Sequence, residues 1–507
     1  MIRAAIVTAL VLLPPAAVAA TITVPSDQPT IQQALNLATV GDTVRVEAGT
    51  YSGTGNRDLD FGGKDLVLLG AGIGESIIDC EGSASAPHRA FDFHSGETAA
   101  SLVEGFTIRN GYSANWGGGI NCRGASPTIR DCSVEECYAT TFGGGIAVWN
   151  GGDPLIDGCS ISENVAADKG GGIAVTGAHA VVQGSSITGN NAALWGGGIF
   201  VDLDSVAVHG TIAAGNSAAS GGGIYLRGAA MELADSRISG NSSSASGGGV
   251  TADLTCQLDI QRAIVSGNTS NNGGGLRLST TTTGSIRAST IAGNLASSAG
   301  GGIHLRRSLQ LDRTIFADNC APDGPAVFAD NESDDPVSFA CCAIDPTEIG
   351  GSGPVGFWND IVVTEDPGFC QPISCLEAPT SDGEFSLRSD SPCLPQNNLC
   401  GELIGALGQG CEPAALPDLL PGAAGVWAYP SPLGASDVLW LRLGSADRTA
   451  ELFDAAGRSL WRLDHSASSR EREVSVSLNG LVPSAGVYFL RVAGHDGHRT
   501  AQIVVRR

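Results

Sequence analysis

Residues 170–199 read GGGIAVTGAHAVVQGSSITGNNAALWGGGI, and this stretch begins and ends on the same motif. Three glycines followed by an aliphatic residue occur eight times, at spacings of 25 to 27 residues. The aliphatic residues are Ile120, Ile146, Ile173, Ile199, Ile224, Val250, Leu276 and Ile303. A period of this length indicates a repeat protein in which each repeat packs only on its neighbours.

Each repeat holds three short segments with alternating apolar residues, which predicts an all-β parallel solenoid with three strands per coil. An asparagine follows the third segment of most repeats by three residues, beginning at Asn110 and interrupted at Cys137. We expect like residues to stack about 4.8 Å apart. The asparagines would then form a buried structural column with their amides hydrogen-bonded from coil to coil. Its members are Asn164, Asn190, Asn216, Asn241, Asn268, Asn294 and Asn319.

The charge balance of the sequence limits the classes of molecule that the protein is expected to bind. Acidic residues outnumber basic ones 52 to 28, which gives a net charge of −24. Nucleic acids and anionic membrane surfaces both select basic proteins, so neither is expected as a partner. We also expect a monomer that needs no cofactor.

The N-terminus has the pattern of a cleaved signal peptide over residues 1–20. Arg3 precedes an apolar run that is too short to span a bilayer, and Ala17–Ala20 offer small residues for cleavage. The 14 cysteines fit an exported protein in a compartment that permits disulfides. We therefore expect an extracellular or outer-surface location.

The segment PTIQQALNLATVGDTVRVEAGTY at 29–51 predicts a short helix that caps the first coil and then a strand. This segment resembles the start of right-handed parallel β-helix proteins of the pectin-lyase-like superfamily. The GGGI and Ile-x-x-Asn repeats resemble those of chlamydial polymorphic outer-membrane proteins, which are adhesins. The resemblance covers residues 21–330 and implies a right-handed β-helix with an adhesive or carbohydrate-directed role.

Two further regions follow the repeats. Residues 331–412 are rich in cysteine, and with Cys320 they hold eight, enough for four disulfides in a C-terminal cap. Residues 413–424 read as a linker. Residues 425–507 predict about seven short strands of an Ig-like sandwich.

The segments YPSPL, LFDAAGRSLWRL and LVPSAGVYFLRV resemble C-terminal sorting domains of type IX secretion substrates. This resemblance implies recognition by an export machinery and display on the outer surface of a Gram-negative bacterium. The final QIVVRR departs from the usual lysine-bearing tail of those domains. A plain Ig-like accessory module is the alternative.

Aromatic residues gather on the outward side of the first segment in the early coils. They are Trp116, Trp149, Trp195, Phe200 and Tyr225. Exposed rings on a rigid surface suit stacking on sugars, which predicts a glycan-contact face. The alternative is that these rings only cover the glycine turns.

Asp202, Arg227 and Asp253 follow one another in a neighbouring outward column. Two coils would separate the carboxylates by about 9–10 Å, near the span that an inverting glycosidase uses. With Arg227 between them, a ladder of alternating charges is the simpler interpretation. A calcium ion held by Asp202, Asp204 and Asp253 is a further alternative.

Three function classes stay open on the sequence. We favour a non-catalytic surface protein that contacts a polysaccharide or cell-surface glycan. A polysaccharide lyase or glycoside hydrolase acting on the first-segment face is the second. The chain has no polygalacturonase-like NTD, DD and GHG set, which argues against that class. An architectural spacer is the third.

Overall fold

The computed structural model describes residues 19–330 and 336–411, and eight strands between residues 427 and 506. The chain divides into two compact units, residues 1–413 and 414–507. Most of the predicted signal peptide and the whole linker at 413–424 lie outside the described residues. No helix in the described part is long and apolar enough to cross a bilayer.

Strands of successive coils in the first unit pair in parallel and build four ladders, which confirms the predicted all-β parallel solenoid. The first ladder follows the glycine triplets, and its 11 strands are Phe91–Phe93, Ile120–Arg123, Ile146–Trp149, Ile173–Thr176, Ile199–Asp202, Ile224–Arg227, Val250–Asp253, Leu276–Leu278, Ile303–Leu305, Val327–Ala329 and Ile349–Gly350. Ile146 pairs with Ile173 and Val148 with Val175, all fully buried, so like residues stack on like in the core.

The second and third ladders form the adjoining sides of each coil. The second ladder consists of Thr21–Val24, Thr43–Val46, Val67–Leu69, Leu102–Glu104, Thr128–Arg130, Leu155–Asp157, His179–Gln183, Ser205–His209, Ala230–Ala234, Gln257–Gln261, Thr283–Arg287, Gln310–Asp312, Val337–Ala343 and Val355–Val363. The third ladder consists of Gly49–Tyr51, Ser76–Asp79, Thr107–Arg109, Ser133–Glu135, Ser160–Ser162, Ser186–Thr188, Ile212–Ala214, Arg237–Ser239, Ile264–Ser266, Thr290–Ala292 and Ile315–Ala317. The second ladder continues past residue 330, where the sequence analysis ended the repeats.

A fourth ladder of eight short strands follows the asparagine corner, where the sequence analysis predicted none. Its strands are Tyr112–Ser113, Tyr138–Ala139, Val165–Ala166, Asn191–Ala192, Ser217–Ser220, Ser242–Ser246, Thr269–Asn272 and Leu295–Ala299. Small and polar residues dominate these strands, so they carry no aliphatic alternation. Eight of the described coils therefore have four strand segments, where three were predicted.

The asparagine corner is a continuous column of buried amides from Asn164 to Asn319. Asn190 Oδ1 accepts hydrogen bonds from both the backbone N and Nδ2 of Asn164, each at 3.0 Å. Asn190 Nδ2 donates to Ile161 O at 2.8 Å. Cys137 begins the column, because its backbone N donates to Asn164 Oδ1 at 3.0 Å. Asn110 lies outside the column and bonds to Asp79 Oδ1 at 3.0 Å instead.

One α-helix, Ile31–Leu37, lies near the start of the solenoid. The Thr30 side chain accepts a hydrogen bond from Gln33 N at 3.3 Å and caps its N-terminus. Lys64 Nζ donates to carbonyls at its C-terminus, including Ala38 O at 2.9 Å. Ile31, Ala34 and Leu35 are buried in the main apolar core. The capping role of this helix stays a prediction.

The cysteine-rich region is held by three disulfides, where the eight cysteines allowed four. They join Cys320 to Cys375, Cys341 to Cys400 and Cys370 to Cys411. Cys342 and Cys393 are buried thiols. Cys342 is buried in the main core, whereas its neighbour Cys341 lies at a bulge in the strand and bonds to Cys400 on the outer flank.

Residues 369–411, which we call the strap, lie along the flank of the last coils rather than across the end of the solenoid. Phe385 and Leu387 of the strap pack on Ile264 and Ile315 of the third ladder. Arg237 Nη2 donates to Ser381 O and Asp382 O at 2.7 and 2.8 Å. The predicted cap is therefore a lateral cover over these coils.

The strands of the strap are Phe369–Gln371, Glu384–Arg388 and Gln409–Cys411. Its 3₁₀ turns are Cys375–Glu377 and Pro395–Asn397, and Pro346–Glu348 precedes it.

The second unit contains two sheets in the described residues. The three-stranded sheet consists of Trp427–Tyr429, Val438–Leu443 and Arg472–Ser477. The five-stranded sheet consists of Leu433–Gly434, Asp447–Phe453, Ser459–Asp464, Gly486–Gly494 and Gly497–Arg506. An Ig-like packing of the two sheets stays a prediction.

Candidate functional site

A file of aromatic residues runs along the outward side of the first ladder. The residue before each glycine triplet is in register from coil to coil, in the order Trp116, Phe142, Lys169, Trp195 and Ser220. The ring centroids of Trp116 and Phe142 are 4.2 Å apart, and those of Trp195 and Tyr225 are 5.1 Å apart. We call the five rings Trp149, Trp116, Phe142, Trp195 and Tyr225, together with Lys169, the aromatic file.

The glycine turn places these rings over the strand that follows. Gly196 has a φ of +67°, and a Cβ at this position would lie 2.9 Å from the Cα of Phe200. Only glycine allows the backbone to fold back so closely. Trp195 is thereby brought beside Phe200, with ring centroids 6.1 Å apart.

Lys169 fills the one place in the file where the pattern of rings is interrupted. Its Nζ lies 4.8 Å from the centroid of Phe142 and 4.9 Å from that of Trp195. Asp168 Oδ2 accepts from the same ammonium at 2.8 Å. The side chain is only 13% exposed, so the cation–π contacts are largely shielded from water. Lys169 was not among the residues predicted from the sequence, although the residue before each glycine triplet places it in register with Trp116 and Trp195.

Burial divides the five residues predicted to contact glycan. Phe200 is fully buried and Tyr225 is 4% exposed, so neither offers a ring face to a ligand. Trp116, Trp149 and Trp195 are half-buried. Each of these three rings stacks on a ring of a neighbouring coil, so part of its surface is already covered. The predicted open platform is therefore a stacked, partly covered file of rings.

Trp149 forms the polar end of the file. Its Nε1 donates to Asn121 Oδ1 at 2.9 Å, and Asn121 Nδ2 donates to Asp92 Oδ1 at 2.7 Å. The Arg123 guanidinium lies 5.6 Å from the Trp149 ring. One face of Trp149 stacks on Trp116, with centroids 5.0 Å apart. This end combines an aromatic edge with several hydrogen-bonding groups.

A row of charged residues borders the file. Asp202 pairs with Arg227, and Arg227 pairs with Asp253, in the registered columns of the first ladder. Arg227 Nε donates to Asp202 Oδ1 at 2.8 Å, and a second bond joins Nη2 to Oδ2. The hydrogen bond with Asp202 raises the pKa of the Arg227 guanidinium. Arg227 also lies 5.3 Å from the Trp195 ring.

The Asp253 carboxylate also has hydrogen-bond and ion-pair partners within the protein. It accepts from the Tyr225 hydroxyl at 3.1 Å and lies 3.8 Å from Arg277 Nη1. Burial first, and then the Asp253 charge, raise the pKa of Tyr225 above its ordinary value. Asp202 and Asp253 thus lie in ion-pair and hydrogen-bond networks rather than on two sides of an open cleft.

The three carboxylates considered for calcium do not come together as a metal site. Asp202 is buried against Arg227, whereas Asp204 is exposed and accepts from Ser205 Oγ at 3.1 Å. No group of three or more acidic, histidine or cysteine side chains in the described part of the chain is placed to hold a metal ion.

Comparison with known proteins agrees with this architecture. A family model described as "Right handed beta helix region" matches residues 76–219. No curated protein sequence matches the chain.

Three solved structures align with the chain at low identity and low TM-score. The pectate lyase Pel9A is 12% identical with a TM-score of 0.38, over 78% of this chain and 97% of that one. The A-module of the Azotobacter vinelandii mannuronan C-5 epimerase AlgE4 is 14% identical with a TM-score of 0.29, over 62% and 91%. The gp42 tailspike of Acinetobacter phage vb_AbaP_AS12 is 12% identical with a TM-score of 0.26, over 93% and 78%. From the coil geometry and the family model together, the chain contains a right-handed β-helix repeat region.

Proposed function

We propose that this protein is an exported, non-catalytic surface protein whose first-ladder flank contacts a polysaccharide or a cell-surface glycan. The observation that carries the proposal is the aromatic file, a row of half-buried tryptophan rings bordered by paired charges. The uncovered parts of these rings give apolar contact with sugar C–H groups, and Arg123 and Asp168 offer hydrogen bonds to hydroxyls. The stacked rings hold one another in place, so little ordering is needed on binding.

A binding role fits this flank better than catalysis. A general acid and base need carboxyl groups that can approach a glycosidic bond and exchange a proton. Asp202 is buried in a two-point ion pair, and Asp253 is shared by Tyr225 and Arg277. The geometry favours a fixed charged border for the aromatic file.

Export and surface display complete the proposal. The apolar N-terminal run supports a signal peptide, and the three disulfides support an oxidising compartment. The separate second unit supports a sorting or anchoring module of Ig-like form, recognised by a type IX export machinery. We further propose that the helix Ile31–Leu37 closes the first coil and that the protein acts as a monomer in the manner of an adhesin.

A glycan panel probed with the mature chain, with and without Ca²⁺, tests this proposal. We expect Trp149→Ala and Trp195→Ala each to weaken the strongest glycan about tenfold, because each removes part of the ring contact. Trp461→Ala, in the second unit, is the matched control and should leave the affinity unchanged. Equal affinity of all three variants would remove the aromatic file as the site.

Two outcomes of the same experiment favour the other classes. If no glycan on the panel binds, the protein is better described as an architectural spacer. If a bound polysaccharide is shortened and the double variant Asp202→Asn with Asp253→Asn abolishes that activity, a polysaccharide lyase or hydrolase is favoured.

A further inference from the structure

A groove of about 590 Å³ opens on the outer side of the second ladder, a different ladder from the one that bears the aromatic file. Its floor crosses four neighbouring strands, Gln257–Gln261, Thr283–Arg287, Gln310–Asp312 and Val337–Ala343. One outward column runs along it, with Asp259, Ser285, Gln310 and Ser338 in register from coil to coil. The groove therefore presents a straight row of polar groups about 14 Å long.

A local change in the ladder creates this groove. Second-ladder strands have five residues from His179–Gln183 through Thr283–Arg287, but Gln310–Asp312 has only three. Arg307 and Ser308 consequently leave the ladder and form one wall. At Gly284 a Cβ would lie 1.9 Å from Leu258 O. The backbone therefore approaches the preceding coil more closely than any side chain would allow, at the position where that coil has Leu258.

Two arginines line this groove without an ion-pair partner among the described residues. Neither the Arg287 nor the Arg307 guanidinium forms an ion pair or hydrogen bond within the described residues. Asp312, the neighbour of Arg287 in the next coil, pairs with Arg313 at 3.2 Å instead. On the preceding coil, by contrast, Arg262 pairs with Asp235 at 2.6 Å. In a chain of net charge −24, two cations in one groove without a partner among the described residues favour the binding of an external anion.

An unsatisfied carboxylate oxygen lies beside these cations. Asp259 Oδ2 accepts from Gln261 Nε2 at 2.9 Å. Asp259 Oδ1 is buried and has no hydrogen-bond donor in the described part of the chain. A buried acceptor without a donor is unfavourable, and a hydroxyl group of a ligand would relieve that cost. The groove is therefore complementary to a ligand that carries both a hydroxyl donor and an anionic group.

We infer that this groove binds an acidic saccharide, whose carboxylate or sulfate groups pair with Arg287 and Arg307 and whose hydroxyl donates to Asp259. Gln310, Ser285 and Ser338 supply further hydrogen bonds along the floor. A neutral saccharide would leave both guanidinium groups unmatched. A polyanion without hydroxyls would bring negative charge to Asp259 with no donor for it. This site does not depend on the aromatic file.

Calorimetry on the full mature chain tests the inference with four probes: a uronic-acid hexamer, a chondroitin sulfate hexamer, neutral maltohexaose and inorganic polyphosphate. We expect one of the two acidic saccharides to bind, and binding to weaken as salt rises. The double variant Arg287→Gln with Arg307→Gln should weaken it at least tenfold. Arg45→Gln removes an exposed arginine that also lacks an ion pair in the described part, and it should leave binding unchanged.

Four outcomes would overturn the inference. They are no binding by either acidic hexamer, equal binding of maltohexaose, polyphosphate binding as tight as the best saccharide, and full affinity in the double arginine variant. Asp259→Asn should weaken the acidic saccharide but not polyphosphate, which separates hydroxyl recognition from simple charge attraction. Binding that is lost in Trp149→Ala and kept in the double arginine variant belongs to the aromatic file, so it would support the proposed function and reject the groove.

Discussion

The two covered flanks of this solenoid are built in opposite ways. The aromatic file is made by the coils themselves, one residue per turn, and its tryptophans stay half-buried. The strap is made by residues far along the chain, is tied down by disulfides, and buries the surface beneath it completely at Ile315. A repeating core therefore does not imply repeating surfaces, and the flank that stays partly open is the one that we propose for glycan contact.

The third ladder shows this difference at a single position. Ser186, Ile212, Arg237 and Ile264 follow one another in register. Ile212 lies outside the strap and is 46% exposed, whereas Ile264 lies under it and is 7% exposed. The same side chain in the same backbone setting thus faces water in one coil and apolar side chains two coils later.

The largest effect should come from placing a charge at these two positions. Ile264→Asp would bury a carboxylate among apolar side chains beneath the strap, where the neighbouring Arg237 already donates to strap carbonyls. We expect a loss of about 3–5 kcal/mol in the free energy of unfolding. Ile212→Asp is the matched control and should change it by no more than about 1 kcal/mol, the range of strand propensity. Chemical denaturation measures both. Equal losses would mean that the strap does not cover Ile264 in solution.

A smaller effect should follow from releasing the strap covalently. The double variant Cys320→Ser with Cys375→Ser opens a bridge across 55 residues, and we expect it to destabilise by about 2–4 kcal/mol. Hydrogen exchange should show faster exchange in Glu384–Arg388, while Ile173–Thr176 beside the aromatic file keeps its protection. Uniform loss of protection across both strands would contradict the independence of the two flanks.

The smallest effect should come from the aromatic file. Lys169→Ala removes a cation held between two rings, and we expect a loss of about 1–2 kcal/mol together with a shift in tryptophan emission. Ser220→Ala changes the same column position where no cation lies, and it should alter neither quantity. If the two variants behave alike, the stacked rings alone hold this flank together.

Much of the fold was predictable because the evidence for it is periodic. The inward residues of neighbouring coils, such as Ile146 and Ile173, repeat at the interval that stacks them. The asparagine residues that form the buried corner were identifiable for the same reason. The fourth ladder was missed because Ser217–Ser220 and similar strands are paired through backbone groups, with side chains too small and polar to show a pattern.

The predicted site was less accurate than the fold. Tryptophan positions on the outward side were identified, but the burial of Phe200 and Tyr225 depends on how rings from neighbouring coils overlap. The place of Lys169 in the file was readable from its register. The pairing of Asp202 with Arg227 agrees with the alternating charges that the sequence suggested.

The sequence by itself determined that the chain coils, because a short period with fixed apolar positions can bury its residues only by stacking one turn on the next. The tertiary structure alone decided which cysteines pair, where the strap lies and that Arg287 and Arg307 share a groove. Those features join residues many coils apart or depend on a single shortened strand, and neither kind of contact leaves a repeating trace in the sequence.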